Sequence, residues 1–203
     1  MADKQTSGYW TENDIAIVGM AAHLPGSATL DEYWQNLRDG VECITPLTEE
    51  ELLDAGESPM RLKHNNYVKS AAILKDFEKF DAEFFGLSPK EAAIMDPQHR
   101  QFLEVSWEAL ENANHVPENF DGPIGVFGGC GMGSYFYFNI CSNRDLIDNT
   151  GMFLLRHTGN DKDFLSTRLS HILDLKGPSL SVQTACSTSL VAAHYACQSL
   201  LNG

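Results

Sequence analysis

Paired cysteines, long apolar runs and positive charge are all scarce in this sequence, and each shortage excludes something. The five cysteines are an odd number and include no C-x-x-C pair. Neither a disulfide framework nor a closed zinc site is therefore expected, and free thiols in a reducing compartment are. No apolar run approaches the roughly 18 residues of a membrane span. The residues before Ile15 are too polar for the core of a signal peptide, so a cytoplasmic location is expected. Only 14 Lys and Arg stand against 28 Asp and Glu, a net charge of −14. That balance repels phosphate backbones and anionic headgroups and argues against nucleic acid or membrane as partner. Internal repeats and low-complexity segments are absent as well. What is present is a core. Of the 203 residues, 43% are hydrophobic and 10% aromatic, and a chain of this length buries roughly 70% of its unfolded surface without needing metal or disulfide.

Residues 14–20 form a short β-branched apolar run that ends at glycine, the pattern of a buried strand entering a loop. Residues 1–13 read as a leader or linker, and residues 14–203 as one domain with no strong internal boundary. Three helix starts have capping-box spacing: Thr29 with Glu32, Thr48 with Glu51, and Ser88 with Glu91, the last with Pro89 at its first position. A longer helix is expected from Asp96, with Phe102, Leu103, Trp107, Leu110 and Ala113 on its buried stripe. Residues 124–127 read as a strand running into the glycine-dense loop Gly128-Gly129-Cys130-Gly131-Met132-Gly133. Ser134 stands where a dinucleotide fingerprint needs its third glycine, so the loop reads as a plain turn that lets backbones approach closely. A helix over residues 161–173, with Phe164, Leu165, Leu169, Ile172 and Leu173 inward, and a strand over 179–183 complete the pattern. Strands separated by helices point to an α/β layered domain.

The last strand leads into Thr184-Ala185-Cys186-Ser187-Thr188-Ser189, followed by an apolar helical stretch to Leu201 with Gly203 at the C-cap position. That helix is apolar on most faces and reads as a central one. A strand that turns sharply into a helix needs small residues around its apex, and Cys186 occupies the apex. Free N–H groups at a helix N-terminus stabilise thiolate over thiol and can hold the oxyanion of a thioester under attack. Spacing alone leaves two readings open, a nucleophile and a small buried residue at a turn. Cys43, Cys130, Cys141 and Cys197 read as small hydrophobes.

Residues 182–192 (Val-Gln-Thr-Ala-Cys-Ser-Thr-Ser-Leu-Val-Ala) resemble the active-site signature of β-ketoacyl synthases, in the form found in ketosynthase domains of modular type I polyketide synthases. The likeness runs from about Asp14 to the last residue. It includes residues 14–20, Phe84-Phe85-Gly86-Leu87-Ser88-Pro89, Met95-Asp96-Pro97-Gln98-His99-Arg100, Gly125-Val126-Phe127 and Leu175-Lys176-Gly177-Pro178-Ser179. The resemblance implies the N-terminal half of a thiolase-like layered (αβαβα) α/β fold that works as a homodimer. It implies that Cys186 is the nucleophile and a backbone N–H oxyanion donor. Cys186 would take an acyl chain from the phosphopantetheine of an acyl carrier protein, for decarboxylative condensation with a malonyl-type extender in polyketide or fatty acid biosynthesis. No bound cofactor and no metal are implied. Met152 and Phe153 fall in a stretch that lies near the acyl channel in the family.

The family also uses two histidines, one in a His-Gly-Thr-Gly-Thr motif, and both lie well beyond the cysteine. This sequence contains neither motif in the seventeen residues after Cys186. His194, eight residues along the same helix, is separated from Cys186 by about 12 Å of rise. The expectation is a nucleophile-bearing half that is not competent for condensation and that pairs with a second copy or a complementary C-terminal half. Two alternatives stand beside it: a non-catalytic module that docks to a carrier protein or half-domain, and a cysteine acyl hydrolase.

Overall fold

The computed structural model describes Thr11 and residues 13–203. Most of the leader expected over residues 1–13 lies outside the described residues. The chain forms two compact units, one of residues 21–80 and one of residues 81–203 together with the segment ending at Met20. No Pro/Gly linker or change of composition marks either boundary in the sequence.

The smaller unit contains α1 (Leu30–Asp39), β1 (Thr45–Pro46), α2 (Glu49–Asp54), α3 (Pro59–Leu62) and β2 (Ser70–Ala71). The two short strands pair antiparallel, Thr45 opposite Ala71. Thr48 caps α2 in a complete capping box with Glu51. The box expected at α1 closes only halfway. Thr29 Oγ1 accepts from Glu32 N at 3.1 Å, but the Glu32 carboxylate accepts from Ala28 N at 2.7 Å, one residue further out.

The larger unit contains α4 (Pro89–Ile94), α5 (Pro97–Asn112), β3 (Val126–Gly128), α6 (Arg144–Thr150), α7 (Met152–His157), α8 (Phe164–Ile172), β4 (Ser179–Ser181) and α9 (Thr188–Asn202). The Ser88–Glu91 box caps α4, and Asp96 caps α5 by accepting from Gln98 N at 2.9 Å. Strands β3 and β4 pair in parallel, with Val126 opposite Ser179 and Gly128 opposite Ser181. Parallel neighbours require a crossover, and α6 to α8 lie within it. Helix α8 packs on both strands and α9 on β3. A Cβ on Gly128 would meet Phe102 of α5 and Ser166 of α8, whereas one on Gly129 would meet Thr188 of α9. Successive residues of an extended chain face opposite sides, so helices cover both faces of the strand pair. The result is the helix–sheet–helix layering of an α/β fold.

Several elements depart from expectation. Residues 14–20 form no strand, and Ile17 is 81% exposed. A strand needs a ladder partner, and none runs beside this segment among the described residues. It is tied instead to α5, with Met20 N donating to Asn112 Oδ1 at 3.0 Å and Gly19 against Ala109 and Ala113. The strand expected over 124–127 sits at Val126–Gly128, and that over 179–183 stops at Ser181. On α5 only Leu103 of the expected stripe is fully buried, together with His99 and Arg100. On α8 Phe164 is exposed, and Ser166 is buried instead, its Oγ donating to Leu180 O at 2.8 Å. The largest departure is α9. Ala192 is its one buried residue, while Leu190 and Leu200 are 77% and 70% exposed. No helix among the described residues is long and apolar enough to cross a membrane.

Candidate active site

Strand β4 ends at Ser181, and the chain then turns through a single 3₁₀ turn, Ala185–Ser187, into α9. Four described non-glycine residues have positive φ, and three of them are Asp or Asn, which tolerate that region through local hydrogen bonds. The fourth is Ala185, at φ 53°. The strained position thus falls immediately before Cys186, and a small side chain occupies it. Thr188 fastens the turn. Its Oγ1 accepts from Thr184 N at 3.0 Å and donates to Ala185 O at 2.8 Å, and Ser187 Oγ donates to Thr184 O at 2.9 Å.

Cys186 is exposed, whereas the other four cysteines are partly covered. Ser187 N is taken by Thr184 O and Thr188 N by Ala185 O. The N–H of Cys186 itself has no acceptor among the described residues. An exposed thiol therefore sits beside an unclaimed backbone donor at a helix start, an arrangement that can receive an oxyanion.

The glycine loop forms the facing wall. Val182 N donates to Gly128 O at 2.7 Å. A Cβ on Gly129 would lie 2.2 Å from Val182 O and 2.4 Å from Thr188 Cγ2. The close-approach reading of this loop thus has its physical reason at Gly129. Gln98 holds the loop from the other side, its Oε1 accepting from Gly131 N at 2.7 Å. Between the walls lies an open cavity of about 1010 Å³, lined by Cys186 and Cys130 with apolar side chains that include Phe102, Phe127 and Ala193. Among the described residues Lys162 is its single charged lining residue, and it reaches Gln183 Oε1 at 3.5 Å. Burial pushes the Cys130 thiol up, an effect that the Lys162 charge opposes.

Met152 and Phe153 begin α7, where they are 42% and 76% exposed, and neither lines this cavity. No described histidine lines it either, and His194 is exposed on α9. Among the described residues no group of three or more His, Cys, Asp or Glu is placed to hold a metal. From the sequence Gln98 and Lys162 have no role, Thr188 is only a small neighbour of the apex, and Cys130 is only a small hydrophobe. Gln98 and Thr188 stand in motifs of the family likeness; Thr188 bonds locally, to Thr184 N and Ala185 O, whereas the bond of Gln98 to Gly131 N is a tertiary one.

The match to known proteins covers this same stretch of chain. The family model for the β-ketoacyl synthase N-terminal domain matches residues 12–203. The chain belongs to the β-ketoacyl synthase family. A phenolphthiocerol/phthiocerol polyketide synthase polypeptide of Mycobacterium tuberculosis is 48% identical over 201 residues, covering 95% of this chain and 13% of that protein. Erythronolide synthase EryA3 of Saccharopolyspora erythraea is 40% identical over 200 residues, or 95% of this chain and 6% of that protein. Among solved structures, ketosynthase twelve of the bacillaene polyketide synthase of Bacillus amyloliquefaciens superposes with a TM-score of 0.79 at 34% identity, covering 93% of this chain and 32% of that one. The ketosynthase N-terminal domain described here therefore spans about a third of that solved relative, and its α/β layering is the thiolase-like fold of modular polyketide ketosynthases.

The Gly129 approach yields a prediction. Gly129→Ala places its Cβ against a backbone carbonyl, which cannot withdraw, and should cost roughly 1–3 kcal/mol of stability in thermal or urea melts. At Gly131 the nearest atom to a new Cβ is the flexible end of Gln98, at 3.1 Å. Gly131→Ala should therefore cost clearly less, and equal costs would remove the close-packing argument.

Proposed function

We propose that this chain carries the acyl-accepting step of a ketosynthase condensing reaction in polyketide assembly, with Cys186 as nucleophile. The observation that carries the reading is the exposed Cys186 beside an unclaimed N–H, at the mouth of a largely apolar cavity. The Cys186 thiolate attacks the carbonyl carbon of an acyl thioester on the phosphopantetheine arm of an acyl carrier protein. A C–S bond forms to Cys186, the Cys186 N–H receives the oxyanion, and the carrier thiolate leaves with the electron pair of the broken C–S bond. The pantetheine belongs to the carrier, so no resident cofactor is needed. A reducing cytoplasm suits five free thiols.

Condensation needs a second step in which a malonyl-type extender loses carbon dioxide and attacks the acyl-enzyme. The family's histidine motifs are not in these 203 residues, and no described histidine lines the cavity. The 203 residues alone should therefore acylate without condensing. Met152 and Phe153 are exposed on α7 and outside the cavity, so an acyl-channel role for them needs a surface beyond these residues to complete it. The apolar face of α9, with Leu190, Tyr195, Leu200 and Leu201 exposed, supports pairing with a second copy or with a complementary ketosynthase half.

The test is incubation with an acyl carrier thioester and then with a malonyl carrier, read by peptide mass spectrometry. An acyl adduct on the Cys186 peptide, with no β-ketoacyl product and no released acid, is expected. Released free acid would instead indicate a cysteine acyl hydrolase, and neither adduct nor acid would indicate a docking module. For association, sedimentation equilibrium at micromolar concentration should show a defined oligomer or capture of an added C-terminal half. A sharply melting monomer that ignores that half would contradict the pairing.

A further inference from the structure

We propose that Cys130 is a resolving thiol for Cys186, so that peroxide converts the pair to a disulfide across the nucleophile's cavity. The inference rests on Cys186 being the reactive thiol and adds a modification site to it. Of the five cysteines only these two line the cavity. Their backbones are held together by the ladder that pairs Gly128 with Ser181 and by the bond from Val182 N to Gly128 O at 2.7 Å. The contact continues at Gly129, whose absent Cβ is what lets it lie against Val182 O and Thr188. Cys130 follows Gly129 directly and Cys186 precedes Thr188 by two residues, so both thiols hang from segments already in van der Waals contact. Gln98 pins the far side of Cys130 through Gly131 N.

The two thiols differ in the way a sensing and a resolving cysteine differ. Cys186 is exposed at a helix start, where peroxide has access. Cys130 is partly covered and held protonated by burial, which makes it a poor first target. Lys162 on the same cavity opposes that burial effect and assists its ionisation when it resolves the oxidised partner.

The Cys186 thiolate attacks one peroxide oxygen, forming an S–O bond as the O–O bond breaks. Hydroxide leaves and takes a proton as water, the sulfur is oxidised to sulfenic acid, and the peroxide is reduced. The Cys130 thiolate then attacks the Cys186 sulfur. An S–S bond forms, the S–O bond breaks, and the hydroxide leaves as a second water with the Cys130 proton. Two thiols and one hydrogen peroxide give one disulfide and two waters. The disulfide closes the cavity to acyl thioesters and keeps Cys186 from irreversible sulfinic acid.

The experiment treats the 203-residue chain with hydrogen peroxide, blocks free thiols with iodoacetamide and maps peptides without reduction. The expected result is a Cys130–Cys186 linked peptide from monomeric protein, lighter by two hydrogens, with thiol labelling lost and then fully restored by dithiothreitol. Cys130→Ser should give instead a dimedone-trapped sulfenic acid at Cys186 that proceeds to sulfinic acid and is not restored. Cys141→Ser should leave the link intact. Sulfinic acid at Cys186 in the unmodified sequence with no linked peptide, or a link found only between chains, overturns the proposal. The wild-type map decides this even where Cys130→Ser folds poorly. Iodoacetamide labelling of the reduced chain keeps the two readings apart. Preferred labelling of Cys186 without a linked peptide overturns the resolving role alone, and equal labelling of all five cysteines overturns the nucleophile reading beneath it.

Discussion

Cys186→Ala should abolish acyl-enzyme formation, with adduct on incubation with an acyl carrier thioester falling by on the order of 10⁴-fold or more, to background. The size of the effect follows from the step itself, since without a sulfur at position 186 there is no atom to accept the acyl group. Alanine is small enough for the apex of the turn, so the bonds of Thr188 Oγ1 to Thr184 N and Ala185 O should survive, and melting should match the wild type within about 1 kcal/mol. Cys186→Ser keeps a nucleophilic atom, but as a hydroxyl that is far less ionised, and it should retain only a trace of the adduct. Cys141→Ser, at the end of a helical turn outside the cavity, should acylate as the wild type does. Adduct that persists in Cys186→Ala would move the nucleophile elsewhere. Cys130, the other thiol on the cavity, would be the first position to test.

The elements legible in the sequence are those whose determinants are local. The caps at Thr48, Ser88 and Asp96 formed as expected because each joins a side chain to a backbone N–H two or three residues on. The turn at Cys186 was legible for the same reason, since the small residues that tolerate φ 53° at Ala185 adjoin the cysteine. Strands were harder because a ladder is a relation between distant segments. Residues 14–20 have a strand's composition without a partner, and β3 begins at Val126 because its N–H meets Pro178 O, fifty-two residues away. The apolar character of α9 was read correctly, but burial was inferred from it, and burial depends on what else packs there. The facing wall of the site was the least legible part. That Gly129 needs to lack a Cβ, or that Gln98 holds Gly131, cannot be deduced from spacing, because the atoms they meet lie 53 and 33 positions along the chain, at Val182 and Gly131.

His99 should make the ketosynthase N-terminal domain lose stability on mild acidification. The residue is 2% exposed, and neither ring nitrogen has a hydrogen-bond partner among the described residues. Burial, with a smaller push from Arg168, lowers its pKa from 6.5 to about 4, while Asp96 and Asp161 oppose the shift. A folded value below the unfolded one means that the unfolded chain takes up a proton first as pH falls. The neutral buried ring therefore stabilises the fold fully above 6.5 and loses that contribution progressively down to about 4. Between pH 7 and 4.5 linkage gives a loss of about 2 kcal/mol, or roughly 4–8 °C in Tm for a chain of this size. The carboxylates that hydrogen bonds hold low, Glu49, Glu51, Glu57, Asp76 and Glu91, act in the opposite part of the scale. Each keeps its contribution well above its ordinary value and begins to lose it within about one unit of that value, so the histidine acts alone from pH 7 to about 5.5 and shares the loss with the carboxylates below that. His99→Leu fills a similar volume without a titratable group and should flatten the Tm profile between pH 7 and about 5.5 while leaving the carboxylate loss below it. A wild-type profile already flat in that window, or one that His99→Leu leaves sloping, would show that another group takes up the proton and that the buried ring is not the source of acid sensitivity.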